Sequence, residues 1–195
     1  MKKLLVVLSI LTIAFAGSAF AQDAPWQNNA GVYLADGSHA ADAAAGSTLD
    51  LHLILSNLTA DSVAGFELKL VAFGPLFVME SSVVFPTQVI NVGSRPGEYI
   101  VGFDVPMPAD GSFEVMTFSA IVTDAAVPAG LLIQSVYFPS LPGVPNFLVD
   151  GGTGELIELR QSTGGADDPV FVVNTQDIPV ATESTSFDSL KSLYR

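Results

Sequence analysis

Cysteine is absent from the chain, and basic residues are scarce: seven Lys and Arg stand against twenty Asp and Glu. The first absence excludes a disulfide-stapled miniprotein and any thiolate metal site. The second argues against a nucleic-acid binder, because holding a phosphate backbone needs a basic footprint and the formal charge here is −13. Histidine occurs twice and tryptophan once. After residue 21 no apolar run approaches the roughly 20 residues that a membrane-spanning helix requires. Sustained helical periodicity is also missing until the last eleven residues, Thr185 to Arg195.

What is present is a chain of 195 residues, 49% hydrophobic, which is enough for one ordinary domain with tails. That apolar content is too high and too regularly spaced for disorder. Part of it belongs to an address. Lys2 and Lys3 form a cationic start, Leu4 to Ala16 an apolar stretch broken only by Ser9 and Thr12, and Ala19-Phe20-Ala21 a small-x-small cleavage site. This is the tripartite pattern of a secretory signal peptide over residues 1–21, with cleavage expected between Ala21 and Gln22. Removal leaves five basic against twenty acidic side chains, a formal charge of −15. Such a surface repels nucleic acid and anionic membranes. The expected location is outside the cytoplasm, periplasmic or extracellular, with no membrane span after cleavage.

Residues 22–29 form a polar lead-in. From there short apolar runs alternate with turn residues. In Leu49 to Leu55 the leucines occupy every second position, and in Gly65 to Phe73 Phe66, Leu68 and Leu70 oppose Glu67 and Lys69. Period-two alternation of this kind places one face of a strand on a core and the other toward water. Further strands are expected at Gly31 to Ala35, Leu76 to Glu80, Gln88 to Val92, Glu98 to Val105, Phe113 to Thr123, Leu131 to Phe138, Phe147 to Asp150 and Glu155 to Arg160. Phe113 to Thr123 is apolar on both parities and so reads as a central or doubly covered strand. Asp36-Gly37, Gly74-Pro75, Arg95-Pro96-Gly97 and Asp150 to Gly154 punctuate the runs as turns. About nine or ten short strands without crossover helices predict an all-β fold, a single antiparallel β-sandwich over residues 30–163. Thirteen Phe against four Tyr suit a core-forming role, since Phe has no polar handle.

Residues 164–184 are Gly-, Ser- and Asp-rich at first and read as a linker and extended tail, in which Pro169 to Asn174 has the composition of an edge strand. Residues 185–195 place Phe187, Leu190, Leu193 and Tyr194 on one helical face. A short amphipathic helix of this length is marginal alone and needs a surface, which makes those four side chains candidates for partner binding.

Catalytic patterns are not signalled. No HExxH spacing surrounds His39 or His52, and no GxSxG marks a serine nucleophile. The carboxylates Asp36, Asp42, Asp110, Asp150 and Glu155 sit in or beside turns, where carboxylates and free carbonyls can converge on a hard cation, so calcium is the one inorganic ligand the sequence raises. No other cofactor is implied. Trp26, Tyr33, Tyr99 and Tyr137 are the only rings that would suit a sugar platform, and no two share a strand.

Two consecutive segments, Ala45-Gly46 through Leu49–Asn57 and then Val63-Ala64-Gly65-Phe66-Glu67-Leu68-Lys69-Leu70, resemble those of cohesin-like secreted bacterial β-sandwiches. The resemblance spans about 130 residues and implies a cohesin-like or jelly-roll-like sandwich that carries no catalytic residue and acts by protein contact through a sheet face. The expected function is therefore a secreted, non-enzymatic binding or structural module. Its expected partner is a protein or an extracellular polymer. A carbohydrate-binding accessory domain is the alternative, and a small hydrolase with sequence-remote carboxylates the third. Exported protein is expected to begin at Gln22, which N-terminal sequencing or intact mass determines directly. Deleting residues 185–195 is expected to lower cell association or partner recovery; unchanged pull-downs would remove the tail from the binding surface.

Overall fold

The computed structural model describes residues 27–175 apart from 110 and 166, and within these every regular element is a strand. In chain order they are β1 (Asn29–Tyr33), β2 (Ala40–Ala41), β3 (Thr48–Ser56), β4 (Ser62–Phe73), β5 (Leu76–Val84), β6 (Val89–Asn91) and β7 (Glu98–Pro108). The remainder are β8 (Ser112–Val122), β9 (Ala129–Gln134), β10 (Phe147–Asp150), β11 (Leu156–Glu158), β12 (Arg160–Gln161) and β13 (Phe171–Val173). Among the described residues no helix is long and apolar enough to cross a membrane. The proposed signal peptide and the C-terminal amphipathic segment lie outside the described residues.

The strands form two sheets. The smaller has the order β12-β1-β3-β8-β5, and the larger runs β11-β10-β4-β9-β13-β2 with β7 on β4 and β6 on β7. β4 organises the larger sheet because it is long enough to serve several partners. β7 pairs with it over Ser62 to Lys69, while β10 takes Val63 to Glu67 and β9 takes Lys69 to Phe73. The Leu70 amide, donating to Gly97 O at 2.9 Å, points to the β7 side. β10 and β9 therefore lie end to end along the opposite edge. Gly65 is required at the centre of this arrangement: a Cβ there would stand 2.3 Å from the Val101 carbonyl oxygen of β7, inside any tolerable contact.

The period-two pattern decides what lies between the sheets. Leu51, Leu53 and Leu55 of β3 and Met116, Phe118 and Ala120 of β8 face Phe66, Leu68 and Leu70 of β4 and Tyr99 and Val101 of β7, all buried. Each fully buried Leu or Phe side chain stabilises the fold by about 1.5–3 kcal/mol relative to exposure. β8 lies between β3 and β5, as expected of a strand apolar on both parities. Gln161 Nε2 donates to Ile133 O at 2.5 Å, joining the rim of the small sheet to β9 of the large one.

The structure modifies the sequence reading in four places. The sandwich is not purely antiparallel, because β1 pairs with β12, and β13 with β2, in parallel. The described residues form thirteen strands, and β2 is so short that it carries no pattern to detect. The domain does not end at residue 163, nor is 171–173 an edge. β13 lies inside the larger sheet between β9 and β2, with Phe171 and Val173 in the core and the Asn174 side chain bridging Ala43 N and O at 2.8 and 2.9 Å. The Gly- and Asp-rich stretch before β13 is a loop within the domain, which composition alone does not separate from a linker. Finally, β9 stops at Gln134 where a strand to Phe138 was expected, for a reason that concerns the site below.

The described chain enters and leaves at opposite poles. Asn29 pairs with Ser56 at one end of β3, whereas β13 ends beside Ala129 and Ala41, at the pole where Thr48 meets Ile121. Eight residue steps along β3 correspond to about 26 Å.

Replacing Leu53 by Ala is expected to cost about 2–5 kcal/mol, and Phe171 by Ala about 3–5 kcal/mol, in urea unfolding. A loss below about 0.5 kcal/mol for the Phe171 variant would show that β13 is not part of the cooperative core.

Candidate functional site

The outer face of the larger sheet carries the residues that the alternation directs away from the core. On β4 these are Gly65, Glu67, Lys69 and Val71, and on β7 Glu98, Ile100 and Gly102. Such positions normally meet water. Yet Glu67 is 0% and Glu98 5% exposed. The cover is the twelve-residue connection from β9 to β10, residues 135–146, which crosses this face. Phe147 and Ile100 stand opposite Glu67 on either side. Above it, Ser140 donates its backbone N–H to Oε1 at 3.0 Å and its hydroxyl to Oε2 at 2.5 Å. Glu98 Oε1 accepts the N–H of Tyr137 at 2.8 Å. A buried charge without donors costs several kcal/mol, and hydrogen bonds to a carboxylate are among the stronger available, so loop and carboxylates hold one another. This is also why β9 ends early: the Tyr137 amide is directed to a side chain below it, not to a neighbouring strand.

The loop carries an exposed pair of rings. Val136 is buried beneath it, while Tyr137 and Phe138 are 58% and 77% exposed. Their rings meet edge to face, centroids 4.6 Å apart at 86°. The Arg95 guanidinium, from the turn before β7, lies 3.4 Å from the Tyr137 ring centroid and 5.9 Å from that of Phe138. Stacking of a cation on an aromatic face is favourable by about 0.5–1 kcal/mol at an exposed site. Neither Arg95 nor Lys69 forms an ion pair among the described residues, although the domain is rich in carboxylates. Exposed Ile90 and Val92 continue the surface, since Ile90 is opposite Gly102 and the Val92 amide donates to Ile100 O. The result is an aromatic and aliphatic shelf with two cations that form no ion pair among the described residues.

The residues singled out from sequence fall elsewhere. Asp36 Oδ1 accepts from the N–H and hydroxyl of Ser38 at 2.9 and 2.8 Å, and Asp150 Oδ1 accepts from Gly152 N at 2.7 Å and Thr153 N at 3.3 Å. Both carboxyls are held below the usual carboxylate range by the turn N–H groups they cap. The Glu155 amide donates to Thr153 Oγ1 in the same β10–β11 turn, and Asp42 follows β2. Among the described residues no three His, Asp or Glu side chains form a group able to hold a metal, so these four are not brought together; Asp110 lies outside the described residues. His39 offers its backbone carbonyl to Val172 N, while His52 Nδ1 meets Glu114 at 2.5 Å on the outer face of the small sheet. Phe187, Leu190, Leu193 and Tyr194 lie outside the described residues, as does Trp26. Phe does not go only to the core: Phe77 and Phe138 are exposed.

Arg95, Phe138, Glu67 and Glu98 were not singled out as site residues from the sequence, and Tyr137 was raised only as a ring for a sugar platform. The one local signal was proline density, Pro139, Pro142 and Pro145 directly after an aromatic pair, which is incompatible with a continuing strand.

No family model and no curated protein matches the chain. The chain is similar in structure to several cohesins. One is a non-cellulosomal cohesin of the archaeon Archaeoglobus fulgidus, 15% identical, covering 70% of this chain and 86% of that one at a TM-score of 0.47. A second is a type II cohesin domain from the cellulosome of Acetivibrio cellulolyticus, 13% identical, covering 76% and 96% at 0.48. A third, from a type I cohesin–dockerin complex of Clostridium thermocellum, is 13% identical and covers 72% and 92% at 0.47. At these values no residue's role passes from those proteins to this one.

A tyrosine on the inner side gives the fold a measurable pH limit. The Tyr99 phenol is buried between the sheets and donates to Glu80 Oε2 at 3.3 Å, and burial followed by the Glu80 charge raises its pKa well above the ordinary 10. The folded state thus keeps a proton that the unfolded chain releases. The contribution is whole below about pH 10 and is lost as pH rises beyond it. Tyr99→Phe is expected to flatten that alkaline decline, which denaturation measured from pH 8 to 11 reads out; an unchanged decline would assign it to other groups.

Proposed function

We propose that this chain is an exported, non-enzymatic binding module that contacts a protein partner through the outer face of its larger sheet, centred on Arg95, Tyr137 and Phe138. The single observation that carries the reading is the state of Arg95. In a strongly acidic domain this cation pairs with no described carboxylate and is instead laid over an exposed ring. Its N–H donors remain available at the ring edge, beside two apolar side chains that water solvates poorly. Arginine and aromatic residues in this combination are enriched where proteins bind one another. The partner it fits is a protein surface with an apolar centre and a carboxylate or main-chain carbonyl placed for Arg95. Export rests on the leader pattern of residues 1–21, and the tail residues Phe187, Leu190, Leu193 and Tyr194 are proposed as a second, separate contact.

The same geometry weighs against the alternatives. A sugar platform wants two or three flat rings lying in one plane, but Phe138 stands edge-on to Tyr137 at 86°, and Arg95 lies over one Tyr137 face. Tyr33 and Tyr99 are buried. A hydrolase wants two accessible carboxylates, and the outer-face pair Glu67 and Glu98 is enclosed and bonded to loop N–H groups. Affinity capture from the native envelope and medium, run in parallel with wild type and an Arg95→Ala/Phe138→Ala variant, tests the proposal. A protein recovered by the wild type and at least tenfold depleted with the variant supports it. Equal recovery by both, or retention of glycans by the wild type on an array, overturns it.

A further inference from the structure

Glu67 and Glu98 are costly residues to place where they stand. Both are on the side of the sheet that alternation turns toward solvent, both are enclosed, and neither has a cation within ion-pair distance among the described residues. Lys69 is directly opposite Glu98 in register, yet the two form no ion pair, and Glu98 takes the Tyr137 amide. The donors that satisfy the carboxylates come from the 135–146 connection, at two points three residues apart that bracket Phe138 and Pro139. At about twelve residues without regular structure, the connection is well beyond the roughly four to six residues typical of loops in compact domains.

We infer that Glu67 and Glu98 form a two-point latch that fixes the 135–146 connection against the sheet and so holds the Tyr137–Phe138 pair outward over Arg95. They are positioning residues, acting through the loop; this inference rests on the shelf being the contact surface. Bond by bond, Glu98 fixes the backbone immediately before Phe138 and Glu67 fixes it immediately after Pro139. Val136 is a buried apolar anchor on the near side, and Phe147 lies beneath the far end. With both points closed, the ring pair is in its binding posture before a partner arrives, and the ordering cost of association falls accordingly. With one open, the segment between them is free to swing from the guanidinium.

The latch is testable without a partner. Hydrogen exchange of the Tyr137 and Ser140 amides is measured in the wild type, in Glu67→Ala and Glu98→Ala, and in the conservative Glu67→Gln and Glu98→Gln. The alanine variants are expected to exchange those two amides roughly ten- to hundredfold faster, the worth of a hydrogen bond to a charged group. Amides of β3 and β8 should keep their wild-type rates, and the glutamine variants, which retain an acceptor oxygen, should recover most of the protection. Unchanged exchange at Tyr137 and Ser140 overturns the latch. So does acceleration spread evenly through the sandwich, which would make the carboxylates general structural supports; should an alanine variant not fold, the glutamine variant alone decides, by local or global change. These outcomes are independent of the capture experiment. Protected loop amides with no shelf-dependent partner would remove the binding reading and leave the latch, whereas lost partner binding with unaltered loop exchange would do the reverse.

Discussion

Glu67 sits on the solvent side of β4, and its burial links every other feature of that face. A carboxylate enclosed between Phe147 and Ile100 persists only with donors aimed at both oxygens, and Ser140 supplies both. Ser140 can do so only because the chain leaving β9 turns across the sheet and does not extend its pairing. That turn ends β9 at Gln134, hands the Tyr137 amide to Glu98, and lifts Tyr137 and Phe138 above the surface. Even the division of β4's edge between β9 and β10 belongs to the same solution, because the connection must leave one and rejoin beside it.

The two faces of the sandwich thereby differ in kind. On the small sheet, polar outward residues pair with near neighbours: His52 with Glu114, and Asp50 with Ser119 at 2.9 Å. These are self-contained contacts between adjacent strands, each exposed and modest in strength. On the large sheet Glu67 and Glu98 are withdrawn beneath a loop, and Arg95 and Lys69 form no ion pair among the described residues. An acidic protein has many ways to pair Arg95, and among the described residues none is used.

The sequence made the core legible and the outer surface much less so. Leu51, Leu53 and Leu55 declare their face by alternation, and the same rule finds Phe66, Leu68 and Leu70, because burial between two sheets is a property of every second residue. Glu67 obeys that rule in direction and breaks it in outcome. Its burial is set by residues 135–146, some seventy positions along the chain, and no local pattern announces such cover. β13 was obscured for a related reason. Three apolar residues after a Gly- and Asp-rich stretch are too few to show a period, and only the β9 and β2 edges on either side make them core. The turn carboxylates illustrate the opposite case: Asp36 and Asp150 lie where sequence placed them, but their oxygens are taken by the N–H groups of their own turns.

The opposed positions of Asn29 and Val173 give the domain a mechanical axis. Tension carried from the residues before β1 to those after β13 acts along the strands, while the ladder hydrogen bonds of β1 with β3 and β12, and of β13 with β9 and β2, lie across them. The load falls on each ladder in shear, with its bonds strained together, and not as an unzipping that breaks them singly. A sandwich threaded in this way resists extension along its strands more than peeling across them. Its aromatic shelf faces sideways from the line of force, so a partner docked there need not bear the pull.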